Sequence, residues 1–419
     1  MNRIFFIIFL ILTAIWGCGN KNMSSRNVSY IYSKESTTLF PSFLVYHTNP
    51  NYSTLYIEVN SKQLLYAKKT GYDTYKANLL VKYKLTLPEN QKNVLDSGSV
   101  ILEHLSDEYD QKENLLVGKI HFNAISGKKY LLQCFTFDYN REQFFETKIT
   151  VDKTSPHTSQ NFIVFDSSGK ECFYPYFSQH HKFTIKHNRP LTEIYVSYFE
   201  NKFPPALPPF SAEPAPTFAF KPNRRETIKI ENDSSFTYFA EEEGIFHFQT
   251  DTSTYDGISV FNFGNKFPYI TEPEKMIEST RYISSKNEYD NISTSNQPKT
   301  ALDLFWISIA GNYERGRQII KEYYTRVENA NKLFSSFQEG WKTDRGIIYV
   351  VFGSPNLIYK NEHSEKWVYG EENNSLSVVF EFSKASNPFS ENDYILMRNP
   401  IHKNAWYRTV EAWRQGRIY

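Results

Sequence analysis

Cysteine is nearly absent: Cys18, Cys134 and Cys172 are the only three in 419 residues. That scarcity excludes a disulfide-dense scaffold, and with no second cysteine at ligand spacing no metal site is expected. A glycine-rich phosphate cradle is missing too, since Gly353-Ser354-Pro355 lacks the repeated glycines and the lysine, and no cofactor is expected. Neither sign of charge dominates, with Lys+Arg 47 against Asp+Glu 46 and a formal net charge of +1. So even a balance does not recruit nucleic acid. Glycine (17) and methionine (4) are scarce while tyrosine (30) and phenylalanine (34) are plentiful, which points to a strand-rich protein. No apolar run reaches the roughly 20 residues of a membrane-spanning helix.

The run that comes nearest lies at the start. Arg3 precedes an apolar stretch from Ile4 to Trp16, small Gly17 follows, and then Cys18 and a polar segment (Gly19, Asn20, Lys21, Asn22). This is the order of a cleavable secretory signal. Ile15-Trp16-Gly17-Cys18 resembles a bacterial lipobox, with Trp16 bulkier than is usual at its place. The resemblance implies that Cys18 is acylated and becomes the mature N-terminus, anchored in a bilayer. Gly19 in place of aspartate implies an outer-membrane lipoprotein facing the periplasm. A plain secretory signal with a coincidental cysteine is the other account. The expected division is a signal peptide (1–17), a flexible tether (18–27), a β-sandwich module (28–153), a second β module (154–267) and an α+β domain (268–419). A flexible coil of about ten residues spans roughly 15 to 20 Å, so the two modules are expected to hold the last domain away from the membrane. Cys134 and Cys172 have two readings, a disulfide in an exported protein or two separate unpaired thiols.

From Val28 to Val151 short alternating segments are broken by turn residues. Seven strands are expected, at 42–47, 54–60, 77–87, 100–105, 115–122, 130–137 and 145–151, which suggests an immunoglobulin-like sandwich. After Ser155-Pro156 a second strand-rich block runs through 161–165, 182–186, 193–199, 227–230, 236–239, 244–250 and 257–263. Within it Pro204, Pro205, Pro208, Pro209, Pro214, Pro216 and Pro222 alternate with Phe203, Phe210, Phe218 and Phe220. Prolines so dense exclude a central strand. The segment is either a stiff loop whose phenylalanines pack back on the sandwich or an arm that docks on a partner protein.

Beyond Pro268 the hydrophobic period lengthens to that of helices. Thr271 and Glu274 suggest a capping box, Asn287 to Lys299 reads as a polar connection, and Thr300 caps a helix that ends at Gly311-Asn312. The next helix, about 313–337, carries Gly316, Ile320, Tyr323, Val327, Ala330, Phe334 and Phe337 on one face, with Arg315, Gln318, Glu322, Arg326 and Lys332 outside it. Strands are expected at 347–352, 366–369, 376–382 and 394–397, and a last helix at 405–417. Trp406 and Trp413 share a face of that helix, which either docks on the domain or lies on an anionic membrane or glycan surface.

Gly340-Trp341-Lys342-Thr343-Asp344-Arg345-Gly346, then the apolar run to Phe352, Gly353-Ser354-Pro355 and later Trp367-x-Tyr369 resemble the GWxTD domain of bacterial exported proteins. Asn356 departs from the acidic residue common there. The resemblance covers 268–419 and implies a bacterial exported lipoprotein, with no catalytic residues to carry over. From the residues alone, Trp341 buries a ring, Thr343 and Asp344 accept backbone N–H groups, Gly346 permits an unusual turn, and Arg345 pairs with Asp344 or Glu339.

Two sets of residues have the types that chemistry uses. His180, His181, His187 and Glu193 follow no common metal-ligand spacing, and His363, Ser364 and Glu365 lack a nucleophile elbow. The expected function is therefore a membrane-anchored scaffold that engages an envelope protein. The alternative is an enzyme or glycan-binding protein acting on an envelope polymer, with Asp344, Arg345 and His363 around a cleft near Trp341.

Overall fold

The structure, a computed structural model, describes residues 27–32, 39–68, 74–106, 114–177, 181–214, 218, 220–230 and 234–417. Cys18, most of the tether, His180 and Pro216 lie outside the described residues. The chain is β-rich with a helical region towards its C-terminus.

All seven strands expected before residue 153 are present, as β1 (Ser42–Tyr46), β2 (Tyr52–Asn60), β4 (Tyr75–Thr86), β5 (Asp96–Ser106), β6 (Leu115–Asn123), β7 (Lys129–Asp138) and β8 (Gln143–Asp152), with a short β3 (Ala67–Lys68) added. One sheet runs β1-β2-β6 and the other β3-β4-β7-β8, with β5 paired to β4. Every pairing is antiparallel. Alternate residues of both sheets point into one core, with Leu55, Ile57 and Val59 from β2 meeting Leu79, Val81 and Leu132. Cys134 is buried in this core and Cys172 lies half-buried elsewhere; both are free thiols.

A second pair of antiparallel sheets follows the same plan. It contains β9 (Phe162–Phe165), β10 (His181–His187), β11 (Glu193–Phe199), β12 (Arg224–Lys229), β13 (Ser235–Ala240), β14 (Gly244–Gln249) and β15 (Ile258–Asn262). The sheets run β13-β10-β9 and β12-β11-β14-β15, around Phe183, Ile185, Val196, Phe246 and Phe248.

Each pair of sheets encloses a neutral histidine. His47 Nε2 donates to the Asp152 carbonyl at 2.9 Å, leaving Nδ1 to accept from Ser53 Oγ at 3.0 Å. His247 does the same with the Tyr255 carbonyl (3.1 Å) and Ser259 Oγ (2.9 Å). Burial depresses both pKa values from 6.5 to about 4. Below pH 6.5 the unfolded chain takes up a proton that the folded module refuses, so stability is full above 6.5 and falls towards pH 4. A loss on the order of 2 kcal/mol per histidine is expected by pH 4.5. Urea midpoints of the full chain at pH 7 and 4.5 measure it, and His47→Gln with His247→Gln should shrink the difference.

The C-terminal region holds α1 (Pro273–Ser279), α2 (Lys286–Ser293), α3 (Pro298–Ala310), α4 (Tyr313–Phe334), α5 (Asp344–Phe352) and α6 (His402–Arg414). An antiparallel meander of β16 (Leu357–Lys360), β17 (Ser364–Tyr369), β18 (Val378–Lys384) and β19 (Tyr394–Leu396) completes it. Several local expectations change here. The strand expected at 347–352 is helix α5, because Thr343 caps it and every residue from Asp344 to Val351 is buried; a helix apolar all round is a core helix. Prolines start two helices: Pro273 and Pro298 stand at their first positions, so neither Thr271 nor Thr300 caps. The capping box is instead Ser285 with Glu288, and it opens a helix inside the expected polar connection. Gly311 ends α3, as expected, and Asn312 caps α4 with its side chain on the Arg315 N–H. Arg326, expected outside the α4 stripe, is 4% exposed, because α6 docks on that face and seats Trp413 against it at 4.8 Å. Trp406 and Trp413 are both 3% exposed, so α6 docks on the domain.

Two segments from far upstream complete this region. The proline-rich segment packs between its own pair of sheets and the C-terminal domain: Phe203, Phe218 and Phe220 surround Phe337 at 4.8, 5.4 and 5.5 Å and share a cluster with Phe199, Ile245 and Phe261. Residues 27–32 also lie on this domain, where the Val28 N–H donates to the Ile358 carbonyl on the edge strand β16 (2.9 Å) and Asn27 Oδ1 accepts from the Ile358 N–H (3.0 Å). The β modules therefore do not separate the start of the described chain from the last domain, contrary to expectation. They form an excursion between two parts of it.

Candidate functional site

The long helix α4 ends at Phe334, and the chain turns back under it through a single 3-10 turn, Gly340–Lys342, before entering α5. The turn is pinned by its neighbours. The Gly340 N–H donates to Ser335 Oγ (2.8 Å), the Trp341 N–H to Asn331 Oδ1 (3.2 Å), and Thr343 Oγ1 to the Gly340 carbonyl (2.8 Å). Thr343 Oγ1 also accepts from the Gly346 N–H (3.1 Å), which caps α5. Both glycines are required by close approach; Gly346 lies inside α5 without a positive φ, so the unusual turn expected there is not its reason. A Cβ on Gly340 would lie 1.9 Å from the Ala330 carbonyl oxygen, and one on Gly346 would lie 1.7 Å from the Gly340 oxygen.

Trp341 is 2% exposed and meets Tyr282 edge-on at 6.3 Å. The Lys342 ammonium lies over the Trp341 ring and pairs with Glu339 at 3.0 Å. Its carbonyl accepts from the Ala206 N–H of the proline-rich segment (2.7 Å).

Asp344 and Arg345 are adjacent yet face different partners. Asp344 pairs with Arg398 through both carboxylate oxygens and accepts from the Leu396 N–H at 2.8 Å. Arg398 reaches on to the Leu207 carbonyl (3.2 Å). Burial raises the Asp344 pKa, with Arg398 opposing it. Arg345, 2% exposed, donates to Glu365 Oε1 (3.1 Å), Tyr32 OH (3.1 Å) and the Asn392 carbonyl (3.1 Å). Its guanidinium stacks on Tyr394 at 4.1 Å.

Glu365 is the hub of this second set. It receives Lys360 Nζ at 2.7 Å, Trp367 Nε1 at 3.1 Å and Tyr32 OH at 3.2 Å, besides Arg345. Burial pushes its carboxyl up, and the Lys360 ammonium and Arg345 guanidinium more than reverse this, holding it at about 2. The expected pairing of Arg345 with Asp344 or Glu339 is thus replaced by Glu365, because the first turn of a helix directs successive side chains to different faces.

The later motif residues close the far end of α5. Gly353 caps the helix, and its carbonyl accepts from Tyr369 OH at 2.8 Å. Buried Pro355 follows Ser354, whose hydroxyl donates to the Tyr32 carbonyl (2.7 Å). Asn356 Oδ1 accepts from the Gly370 N–H at 2.8 Å, a role open to one oxygen of an acidic side chain.

The residues of a cleft are not assembled around Trp341. Asp344 and Arg345 are closed within buried pairs, and His363 is exposed. Ser364 Oγ donates to Asn361 Oδ1 (3.0 Å), so Ser364, His363 and Glu365 form no relay. His187 is engaged by the Arg189 and Pro156 carbonyls, at 3.1 and 3.3 Å. Among the described residues no group of three or more His, Cys, Asp or Glu side chains is placed to hold a metal.

Sequence reasoning missed Tyr32, Asn392 and Arg398, and weighed Glu365 only as a triad partner of His363 and Ser364. Glu365 carried one signal: it sits two residues before Trp367 in a strand, hence on the same inward face, and a carboxylate there requires partners.

No curated protein matches the chain. Among solved structures, a glycosyl hydrolase family 2 member from Bacteroides cellulosilyticus is similar at 8% identity, over 33% of this chain and 16% of its own, with a TM-score of 0.19. So short and loose a likeness has no bearing on fold or activity. The family model of the GWxTD domain matches residues 244–415. The match begins at β14, and this agrees with the packing: Ile245, Phe261 and Phe263 of the β14–β15 region share a cluster with Phe337 and Phe389. On the signature, its surroundings and this match, the chain is a GWxTD domain-containing protein.

Proposed function

We propose that this protein is an envelope lipoprotein, acylated at Cys18 and facing the periplasm from the outer membrane, that acts as a protein-interaction or assembly scaffold. In this reading its two β modules are immunoglobulin-like sandwiches. The observation that carries it is the use made of the signature: Lys342, Asp344 and Arg345 bind three remote segments, 206–207, 392–398 and Tyr32, into one frame. A signature used this way builds a base and not a reaction centre.

The position of residues 27–32 revises how such a base would sit. From Cys18 to Asn27 is nine residues, which span at most about 32 Å when extended. The GWxTD domain is then the membrane-near part, and the β modules are the parts free to meet a partner. An exposed apolar row supports this. Ile101, Leu80, Phe137 and Phe144 lie in register across β5, β4, β7 and β8 on the outer face of the larger sheet, with Ile101 54% and Phe144 43% exposed. A contiguous apolar strip on a flat face fits a protein partner.

Crosslinking of the full chain in intact cells, followed by mass spectrometry, should return a reproducible envelope protein. Ile101→Glu with Phe144→Glu should abolish its recovery while leaving the protein in the membrane fraction, and Cys18→Ala should move the protein to the soluble fraction. Background recovery alone, in conditions that preserve complexes, would count against the proposal.

A further inference from the structure

A cavity of about 370 Å³ lies beside the C-terminal helix α6, away from the Glu365 network. It falls within the range of about 300–1,000 Å³ in which proteins hold small ligands. We propose that it binds an amphiphilic anion, an apolar chain that ends in a carboxylate or phosphate.

The walls define the apolar half of such a ligand. Trp406 and Trp413 of α6 turn into the domain core. The neighbouring face presents Ala405 and Ala412 to the cavity, and these small side chains leave it room. Phe352 at the end of α5 and Val378 at the start of β18 form the opposite wall.

The charges define the other half. Three arginines, Arg326, Arg408 and Arg417, line the cavity, and none of its lining residues is acidic. Arg326 is held in place: its Nε donates to Glu322 at 2.9 Å, its Nη1 to the Val351 carbonyl at 3.3 Å, and its guanidinium stacks on Trp413 at 4.8 Å. Trp413 Nε1 donates to the same carbonyl at 2.9 Å, which fixes the ring that backs the site. Arg408 and Arg417 are exposed, so they stand where a charged head would meet water. Guanidinium forks match the paired oxygens of carboxylate and phosphate, and an apolar wall beside them favours a chain over a free ion.

Isothermal titration of the purified full chain tests this with four probes below their micellar concentrations: decanoate, decyl phosphate, decanol and inorganic phosphate. Either charged amphiphile should bind saturably, the stronger identifying the head group, with decanol and inorganic phosphate weaker by about tenfold or more. Arg408→Gln with Arg417→Gln should weaken the anion by about tenfold, and Ala412→Leu should block it by filling the cavity. Thermal unfolding of both variants should match the parent. The proposal is overturned if neither charged amphiphile binds, if decanol binds as tightly, or if correctly folded variants bind unchanged.

Discussion

Replacing Glu365 with alanine is expected to destabilise the C-terminal domain by about 3–5 kcal/mol, the usual consequence of removing one partner from a buried ion pair. The side chain is 0% exposed and receives Arg345, Lys360, Tyr32 and Trp367. Without it Arg345, itself 2% exposed, keeps a charge in the core facing a void. Lys360 is 40% exposed and can turn to water, so Lys360→Ala should cost far less. Urea unfolding of the full chain, followed by hydrogen exchange of α5 and β17 so that the domains are read separately, distinguishes these outcomes. A loss below about 1 kcal/mol in Glu365→Ala would mean that the network does not hold the domain together.

The same carboxylate sets an acid limit. Its folded pKa of about 2 lies below the ordinary 4.5. A depressed carboxyl contributes stability that is present above 4.5 and lost as pH falls through about 2. Glu365→Gln should therefore flatten the decline of the C-terminal domain across that window.

The second large effect is expected from the signature glycines. Alanine at Gly340 would place its Cβ 1.9 Å from the Ala330 oxygen, 2.5 Å from the Ala330 carbonyl carbon and 2.7 Å from Asn331 Cα. All three are backbone atoms of α4, so no side chain can yield. The turn must leave the helix, and with it go the Ser335 and Asn331 hydrogen bonds that hold Gly340 and Trp341. A loss above about 4 kcal/mol is expected for Gly340→Ala, and similarly for Gly346→Ala. Gly316, also in α4, provides the control: its Cβ would meet only the Ala310 methyl at 3.6 Å. There alanine should stabilise by roughly 0.5–1 kcal/mol through helix propensity. Equal urea midpoints for Gly340→Ala and the parent would show that the close approach is not needed.

The strands were the most legible part of this chain. Alternation in segments such as Leu79-Leu80-Val81-Lys82-Tyr83 reports one buried and one outer face directly, because strand period is local. The helix α5 was the opposite case. Ile347-Ile348-Tyr349-Val350-Val351 is rich in β-branched residues and carries no period, and a continuous apolar run is compatible with either element. What decides for helix is the cap at Thr343 and a core that surrounds the run on every side, through α4, α6 and β19. The helix starts were also displaced from Thr271 and Thr300, since proline is favoured at the first helical position and sets the start at Pro273 and Pro298, leaving Glu272 and Gln297 at the cap positions.

By itself the sequence determined the strand-rich character, the change from strands to helices beyond Pro268, and the family of the C-terminal domain. Each follows from local period, turn chemistry or a specific run of residues. Only the tertiary structure decided where the charges of the signature go. Asp344 and Arg345, adjacent in sequence, are separated onto Arg398 and Glu365, and Tyr32 arrives from more than three hundred residues away to share the second site. Such partners are set by burial: a charge removed from water must be met by whatever groups the fold brings to it, and sequence distance has no part in that choice.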